Sequence, residues 1–344
     1  MMKRKVWIVL AVLLALCAAV AVVYMVSGCG ASRSAASRPV ASRSVASRSV
    51  SSDSGFAASA APTPALSQPW LELPSAGKNP DAMMSWPEGS PENDDDMHCV
   101  THWAMMQGRM QRNYTCFYDE DTFTSYWVAY PLCHAHMTTG REEIWGYDDK
   151  VPEELQTSVK KGYGASVPTE NYPNNFYARG HQIPNADRNA VPQMQAQTYY
   201  STNMTPQIQN GFNGALWAKL EEAVRNETPA GDTLYVVTGA SFRVKGDEAV
   251  KTIVNANDGK SLPVPNYYWK AVLKVSRTGG TLSDAVAVGF WVPHTDLKGR
   301  NYAEFAVSVD SIEALTGFDM FVNLPDALET LAESNSSWAS FQQK

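Results

Sequence analysis

Arg179-Gly180-His181 places three residue types suited to one reaction side by side. A neutral imidazole near pH 7 is the natural general base for activating water. A guanidinium grips a phosphate through its planar fork. The glycine between them permits either a close backbone approach or an unusual backbone angle. The surround is polar and rich in Asn and Pro, running through Pro184 to Asp187-Arg188, so His181 has no amphipathic pattern whose core face it would occupy. A second polar cluster, Thr202-Asn203-Met204-Thr205-Pro206-Gln207, leads into Phe212-Asn213-Gly214-Ala215-Leu216-Trp217-Ala218-Lys219-Leu220-Glu221. In a helix, Asn213, Trp217 and Glu221 form one stripe beside the apolar stripe of Leu216, Leu220 and Val224. A hard cation such as Mg²⁺ takes oxygen ligands and keeps several waters. One Asn213 carbonyl could hold such an ion, with Glu221 ordering its waters. Asn213 would serve equally well as a helix N-cap. Together the two clusters suit metal-dependent cleavage of phosphodiester bonds.

Those residues need a frame. The segments 113–118 and 125–132 are rich in aromatic and β-branched residues around the acidic turn 119–121, and predict a hairpin that opens a sheet. Further strands are expected at 233–238, 268–275 and 285–292. Helices are expected at 211–225, 308–316 and 325–333, the last with no obvious catalytic residue. Strands and helices mix without regular βαβ alternation, so the class is α+β, a mixed or antiparallel central sheet with flanking helices.

Charge restricts the function. Residues 1–70 carry seven Lys/Arg and one Asp, a balance of +6; the remainder carries 21 basic and 34 acidic residues, or −13, giving the net −7. An acidic domain does not hold nucleic acid by bulk electrostatics. A metal ion and a few local Arg and Lys would have to offset the repulsion.

The first 28 residues read as an export leader. Lys3, Arg4 and Lys5 precede an apolar run from Val6 to Val26. That run is long enough to serve instead as an N-terminal membrane anchor. Val26-Ser27-Gly28-Cys29 resembles a bacterial lipobox, which favours lipid on Cys29; Gly30 rather than Asp after it leans towards the outer membrane or cell surface. Either reading puts the domain outside the cytoplasm and ties it to a membrane. Residues 29–69 repeat Ala-Ser-Arg-Ser-Val and form a low-complexity tether. The domain then occupies 70–344, beginning with a Pro-, Ser- and acid-rich segment to residue 98. Asp94 to Asp96 lack the Gly and closing Glu of an EF-hand loop. Among Cys99, Cys116 and Cys133 at most one disulfide can form, and the sequence does not choose the pair. His98, His102, His134 and His136 lack tight zinc-site spacing. They are expected at the surface or hairpin edge, and His294 is expected to be structural.

Tyr177-Ala178-Arg179-Gly180-His181, Ala186-Asp187-Arg188, Asn203-Met204-Thr205-Pro206-Gln207 and Asn213 through Glu221 resemble the DNA/RNA non-specific endonuclease family, which carries its site on a ββα-metal motif. Arg112-Asn113-Tyr114 with Trp127 through Leu132, and Phe305 through Asp319, extend the resemblance over about residues 98–335. It implies His181 as general base, Asn213 as the single protein ligand of a hydrated Mg²⁺ (or Mn²⁺), and Glu221 holding metal-bound water. It further implies Asn203 positioning the site and Arg179 supporting the scissile phosphate. Substrates would be DNA and RNA, cut to 5′-phosphorylated fragments with little sequence preference. Two positions depart from the pattern. Ala178 stands where the family usually has Asp, and Arg141, with Trp145 and Asp148, only loosely matches an upstream Arg. The acidic domain and Ala178 leave a second reading, a catalytically silent nucleic-acid-binding surface module on the same fold. A phosphodiesterase for small substrates is a third.

Overall fold

Seven strands make the central sheet of the computed structural model, which describes residues 70–74, 97–246 and 248–344. The proposed leader (1–28) and tether (29–69) lie outside the described residues. β1 (Met97–Met106), β2 (Arg109–Asp119) and β3 (Thr124–Leu132) are followed by β4 (Tyr177–His181) and β5 (Met204–Ile208). β6 (Leu234–Ser241), β7 (Lys251–Val254), β8 (Ser261–Val264), β9 (Tyr267–Thr278), β10 (Thr281–Pro293) and β11 (Ala306–Val307) complete the set. The large sheet runs β1-β2-β3-β6-β9-β10-β11, and every neighbouring pair is antiparallel. The expected strands are all present. β4–β5 and β7–β8 form separate two-stranded ribbons.

β1 was not anticipated. Val100, His102, Ala104 and Met106 point inward in alternation, but a histidine in an inward slot hides the period. The β1–β2 turn is made by Gln107 and Gly108, at φ 50° and 76°, the left-handed pair that suits a two-residue hairpin. His102 is therefore a core residue, not a surface or hairpin-edge one. It lies fully buried, stacked on Tyr114 and paired with Asp148 at 2.9 Å. His136 is also buried. His98 does sit at the hairpin edge, 2.6 Å from Glu120. Cys99, Cys116 and Cys133 are free thiols.

Period-two alternation gives the sheet two apolar faces. Leu234 and Val236 join one cluster with Tyr130, Tyr268 and Val288, whereas Tyr235 and Val237 join the other with Trp127, Trp269 and Leu273. The first face is covered by the wide helical segment Gln209–Trp217, by the α-helix that continues it, and by the C-terminal helix Trp338–Gln342, through Phe212, Leu216, Trp217, Leu220, Trp338 and Phe341. The second is covered by the helices Val309–Thr316 and Asp326–Glu333, through Ile312 and Ala332, and by the connection between them, through Phe318, Met320 and Phe321. Numbered in order, these are α1 (Pro192–Gln197), α2 (Ala218–Asn226), α3 (Val309–Thr316), α4 (Asp326–Glu333) and α5 (Trp338–Gln342). Among the described residues no helix is long and apolar enough to cross a membrane.

Candidate active site

β4 and β5 pair from Tyr177↔Ile208 to His181↔Met204, so Arg179 and His181 lie at one end of a short ribbon. Gly180 has no positive φ; of its two possible roles, close approach is the one realised. A Cβ there would stand 2.2 Å from Cδ of Gln207, whose side chain crosses the ribbon at that point.

The connector between β4 and β5 is fixed by buried polar groups. Asn203 accepts a hydrogen bond from Ile183 N at 2.9 Å and donates to Ile183 O and Thr198 O at 3.1 and 2.8 Å. It does not line the cleft described below, so it acts on the site by holding the loop after His181. Arg188 is fully buried and donates to Asn113 Oδ1, Asn113 O, Pro131 O and Asp187 O at 2.6–3.0 Å. Asp187 accepts from Tyr130 Oη at 3.0 Å and from Arg225 Nε of α2 at 2.7 Å. The Asp-Arg pair is thus a clamp that ties the His181 loop to β2, β3 and α2, not a reacting group.

The opposite wall begins where β5 ends. Asn210 (φ −93°, ψ 135°) and Gly211 (φ 88°, ψ −22°) interrupt the segment before regular helix sets in. Asn175 holds Asn210 by both amide atoms, accepting from its N at 2.9 Å and donating to its O at 2.7 Å. Gly211 is required, because its φ is left-handed and a Cβ would meet Asp296 Oδ1 at 2.3 Å. Through residue 217 the turns are π-type rather than α. That corrects the expected stripe: Trp217 falls into the core, and the cleft is lined instead by Asn213, Gly214, Ala218 and Glu221. Asn213 makes no capping bond. Its Nδ2 donates to Gln209 Oε1 at 3.0 Å, which leaves the carbonyl oxygen available.

Between the walls lies a cleft of about 680 Å³. His181, Arg179 and Arg141 contribute to it from one side, and Asn213 and Glu221 from the other. Ala178 lines it too. Arg141, the loosely matching arginine, reaches the cleft beside Trp145; Asp148 does not, being buried against His102 and Thr202. His181 sits beside Tyr199 and Trp145, with ring centroids 5.1 and 5.5 Å away, and its Nε2 has no hydrogen-bond partner among the described residues. Burial, then the charges of Arg141 and Arg179, push its pKa down to about 3, so the ring is neutral at neutral pH. Arg179 stacks 3.5 Å over Trp145 and donates through Nη1 to Val159 O and Lys160 O at 2.8 and 3.3 Å. These bonds orient its fork and leave donors for a ligand.

Glu221 has a partner that sequence reasoning missed. Lys270, fully buried in β9, lies 4.8 Å over the Trp217 ring and donates to Thr238 Oγ1 at 3.1 Å. Burial raises the Glu221 carboxyl and the Lys270 charge opposes that rise; burial lowers the Lys270 ammonium and Glu221 opposes that fall. The signal was present: a lysine inside the apolar run Tyr268-Trp269-Lys270-Ala271-Val272-Leu273 needs a buried partner. His294 is structural, as expected. Its Nδ1 bonds Pro265 O and its Nε2 accepts from Ile208 N, both at 2.8 Å, so it pins the end of β5 as a neutral ring.

Comparison with known proteins agrees with this geometry. Residues 105–327 match the family model for DNA/RNA non-specific endonuclease. A mitochondrial nuclease of Saccharomyces cerevisiae is 27% identical over 218 residues, 60% of this chain and 63% of that protein. A nuclease of Nostoc is 27% identical over 233 residues, covering 65% and 77% of the two chains. A nuclease of Serratia marcescens is 25% identical over 244 residues, covering 69% and 83%. The chain thus spans somewhat under two thirds of the yeast relative and more of the bacterial ones.

Proposed function

The chain belongs to the DNA/RNA non-specific endonuclease family, and from that premise we propose that it is a metal-dependent endonuclease hydrolysing phosphodiester bonds of both DNA and RNA. The observation that carries this reading is one cleft with His181, Arg179 and Arg141 on one wall and Asn213 and Glu221 on the other. A silent binding module would need no neutral, desolvated imidazole opposite an oxygen-donor pair.

The donor set fits a hydrated Mg²⁺. Asn213 offers one neutral oxygen, oriented by Gln209, and Glu221 offers a carboxylate on the same wall. Both are hard ligands, and a single protein ligand with waters is a normal arrangement for this ion. When bound, the ion supplies electrostatic stabilisation of charge developing on the phosphoryl group. The chain's own residues do the rest. Arg179 and Arg141 hold the phosphodiester, and His181 takes the proton of the attacking water. Pairing the two guanidiniums with an anionic substrate removes part of the field that depresses His181, so the base strengthens when substrate is bound. Asn203, Asp187 and Arg188 keep the imidazole loop in place.

The cleft also bears on substrate size. Phe176, 48% exposed, and the exposed Arg141 stand on its lining, which suits a polymer lying across it better than an enclosed small ester. The leader and lipobox support an extracytoplasmic, membrane-tethered setting, with lipid on Cys29 or an N-terminal anchor as the attachment. Incubating the purified chain with plasmid DNA and with RNA, in Mg²⁺ or EDTA, tests the activity. Cleavage of both, abolished by EDTA, is expected. Binding without turnover would favour the silent module, and cleavage undiminished by EDTA would reject the metal.

A further inference from the structure

On the sheet face away from the cleft, α3 and α4 bring three carboxylates together. Asp310 and Glu313 lie at i and i+3 on one face of α3, and Glu333 ends α4. One oxygen from each comes within 4.8 Å of the others. Glu333 is only 5% exposed, and its Oε1 has no hydrogen-bond partner among the described residues. A buried carboxylate without partners is costly, because desolvation is not repaid. The neighbours make this worse: Glu313, Glu329, Asp310 and Asp319 all oppose ionisation of Glu333.

The elements carrying these groups are held rigidly. Ser308 caps α3 by accepting from Ser311 N at 3.1 Å, and Gly317 ends it at φ 78°. Glu313 Oε1 accepts from Met320 N at 2.8 Å, which fixes its carboxylate towards the α3–α4 connection. Val309, Ile312 and Ala332 anchor both helices in the core beneath. The cluster is therefore a preformed set of carboxyl oxygens; burial and the neighbouring carboxylates push the Glu333 carboxyl up, and a cation bound among them would offset that repulsion.

We propose that Asp310, Glu313 and Glu333 form a second cation site, independent of the catalytic cleft, that binds a calcium-class divalent ion and cross-links α3 to α4. Three carboxylates from two helices suit Ca²⁺, which takes six to eight oxygens in flexible geometry; Mg²⁺ more often keeps its waters and uses one or two carboxylates. Soft metals are disfavoured by the all-oxygen set. The ion's role is structural: it neutralises Glu333 and ties the last turn of α4 to α3.

The test uses the full chain purified in detergent, stripped of metal and then titrated with CaCl₂, with binding followed by calorimetry and stability by thermal unfolding. Saturating Ca²⁺ is expected to raise Tm by about 2–4 °C. Glu333→Gln, close to isosteric, should abolish that increment while leaving the Ca²⁺ response of Asn213→Ala, which keeps the cluster intact, as in the wild type. Should Glu333→Gln fail to fold, the exposed Asp310→Asn serves instead and should weaken Ca²⁺ binding about tenfold or more. An equal Ca²⁺ shift in wild type and cluster variants would overturn the proposal by placing the ion elsewhere. So would the absence of any shift combined with stabilisation on lowering the pH, which would mean that the carboxylates share a proton instead.

Discussion

On the cleft side of the sheet, Asp187, Arg188 and Lys270 are buried among Tyr130, Trp217 and Leu220, each tied into hydrogen bonds or charge pairs. On the opposite side, Ile312, Phe318, Met320 and Phe321 meet Trp127, Val237 and Leu273 in mainly apolar contact. Apolar packing alone holds a helix against a sheet but tolerates small shifts and repacking. A site that must keep an imidazole and an ion-binding helix in fixed relation needs directional contacts as well. The polar side therefore stabilises geometry, and the apolar side stabilises the fold. Polar groups on the apolar side are local, as in Tyr126 donating to Asp119 and in the acid cluster at the α3–α4 junction.

Removing chemistry without removing structure should give the largest effect. His181→Ala deletes the proposed base, and its Nε2 holds no hydrogen bond that the fold would lose. Cleavage of plasmid DNA should fall by about 10²–10⁴-fold, with the unfolding midpoint unchanged or raised. A variant that keeps most of its rate would remove His181 from the mechanism.

Breaking the clamp should act on the fold and the site together. Arg188→Met leaves Asn113 Oδ1 and the carbonyls of Asn113 and Pro131 without their donor. A loss of about 3–5 kcal/mol in urea unfolding is expected, accompanied by a lower cleavage rate under conditions where the protein is still folded. A loss under about 1 kcal/mol would show that water replaces the guanidinium and that the clamp is dispensable.

These two changes also mark where the sequence was readable. His181, Arg179, Asn213 and Glu221 could be found from residue type and spacing, because β4, β5 and the following helix are contiguous and bring them to one cleft. The strands of the large sheet were legible for the same reason: their apolar runs are local signals. What was hidden depends on contacts between segments distant in sequence. His102 inside β1 disguised a strand, and its partner Asp148 lies 46 residues on. The π-type turns after Gly211 shifted Trp217 into the core, which no propensity at that position announces. Lys270 was visible as an oddity in an apolar strand, yet only the fold shows that its charge acts on Glu221.

The pH response should separate the faces further, since His181 and His294, both with depressed pKa values, lie on the cleft side. Burial lowers the His294 pKa to about 4, against the bond to Pro265 O that opposes the fall, and protonating Nε2 would also break its bond from Ile208 N. The unfolded chain, with a pKa near 6.5, binds more protons than the folded one between these values. The contribution is thus fully present above about pH 6.5 and is lost as pH falls through about 4, roughly 3 kcal/mol in all. Urea unfolding from pH 7.5 to 4 should show this slope, and His294→Gln should flatten part of it. An identical slope in the variant would assign the effect to His136 and His181, which are pushed down to about 3 by burial and nearby arginines.

The smallest change probes the apolar side. Ile312 in α3 passes so close to β10 that a Cβ on Gly289 would lie 2.7 Å from its Cδ1. Ile312→Val removes one methyl group at that contact and leaves every polar bond of the cleft in place. It should cost about 0.5–1.5 kcal/mol, while the cleavage rate at 25 °C stays within about twofold of wild type. α3 touches β9 and β10, whereas His181 and Asn213 are fixed by Gln207, Asn203, Gln209 and Asn175 on the other side. If this modest loss of stability brought a tenfold loss of rate, the sheet would be transmitting strain from one face to the other. The division between a face that holds the fold and a face that holds the geometry would then fail.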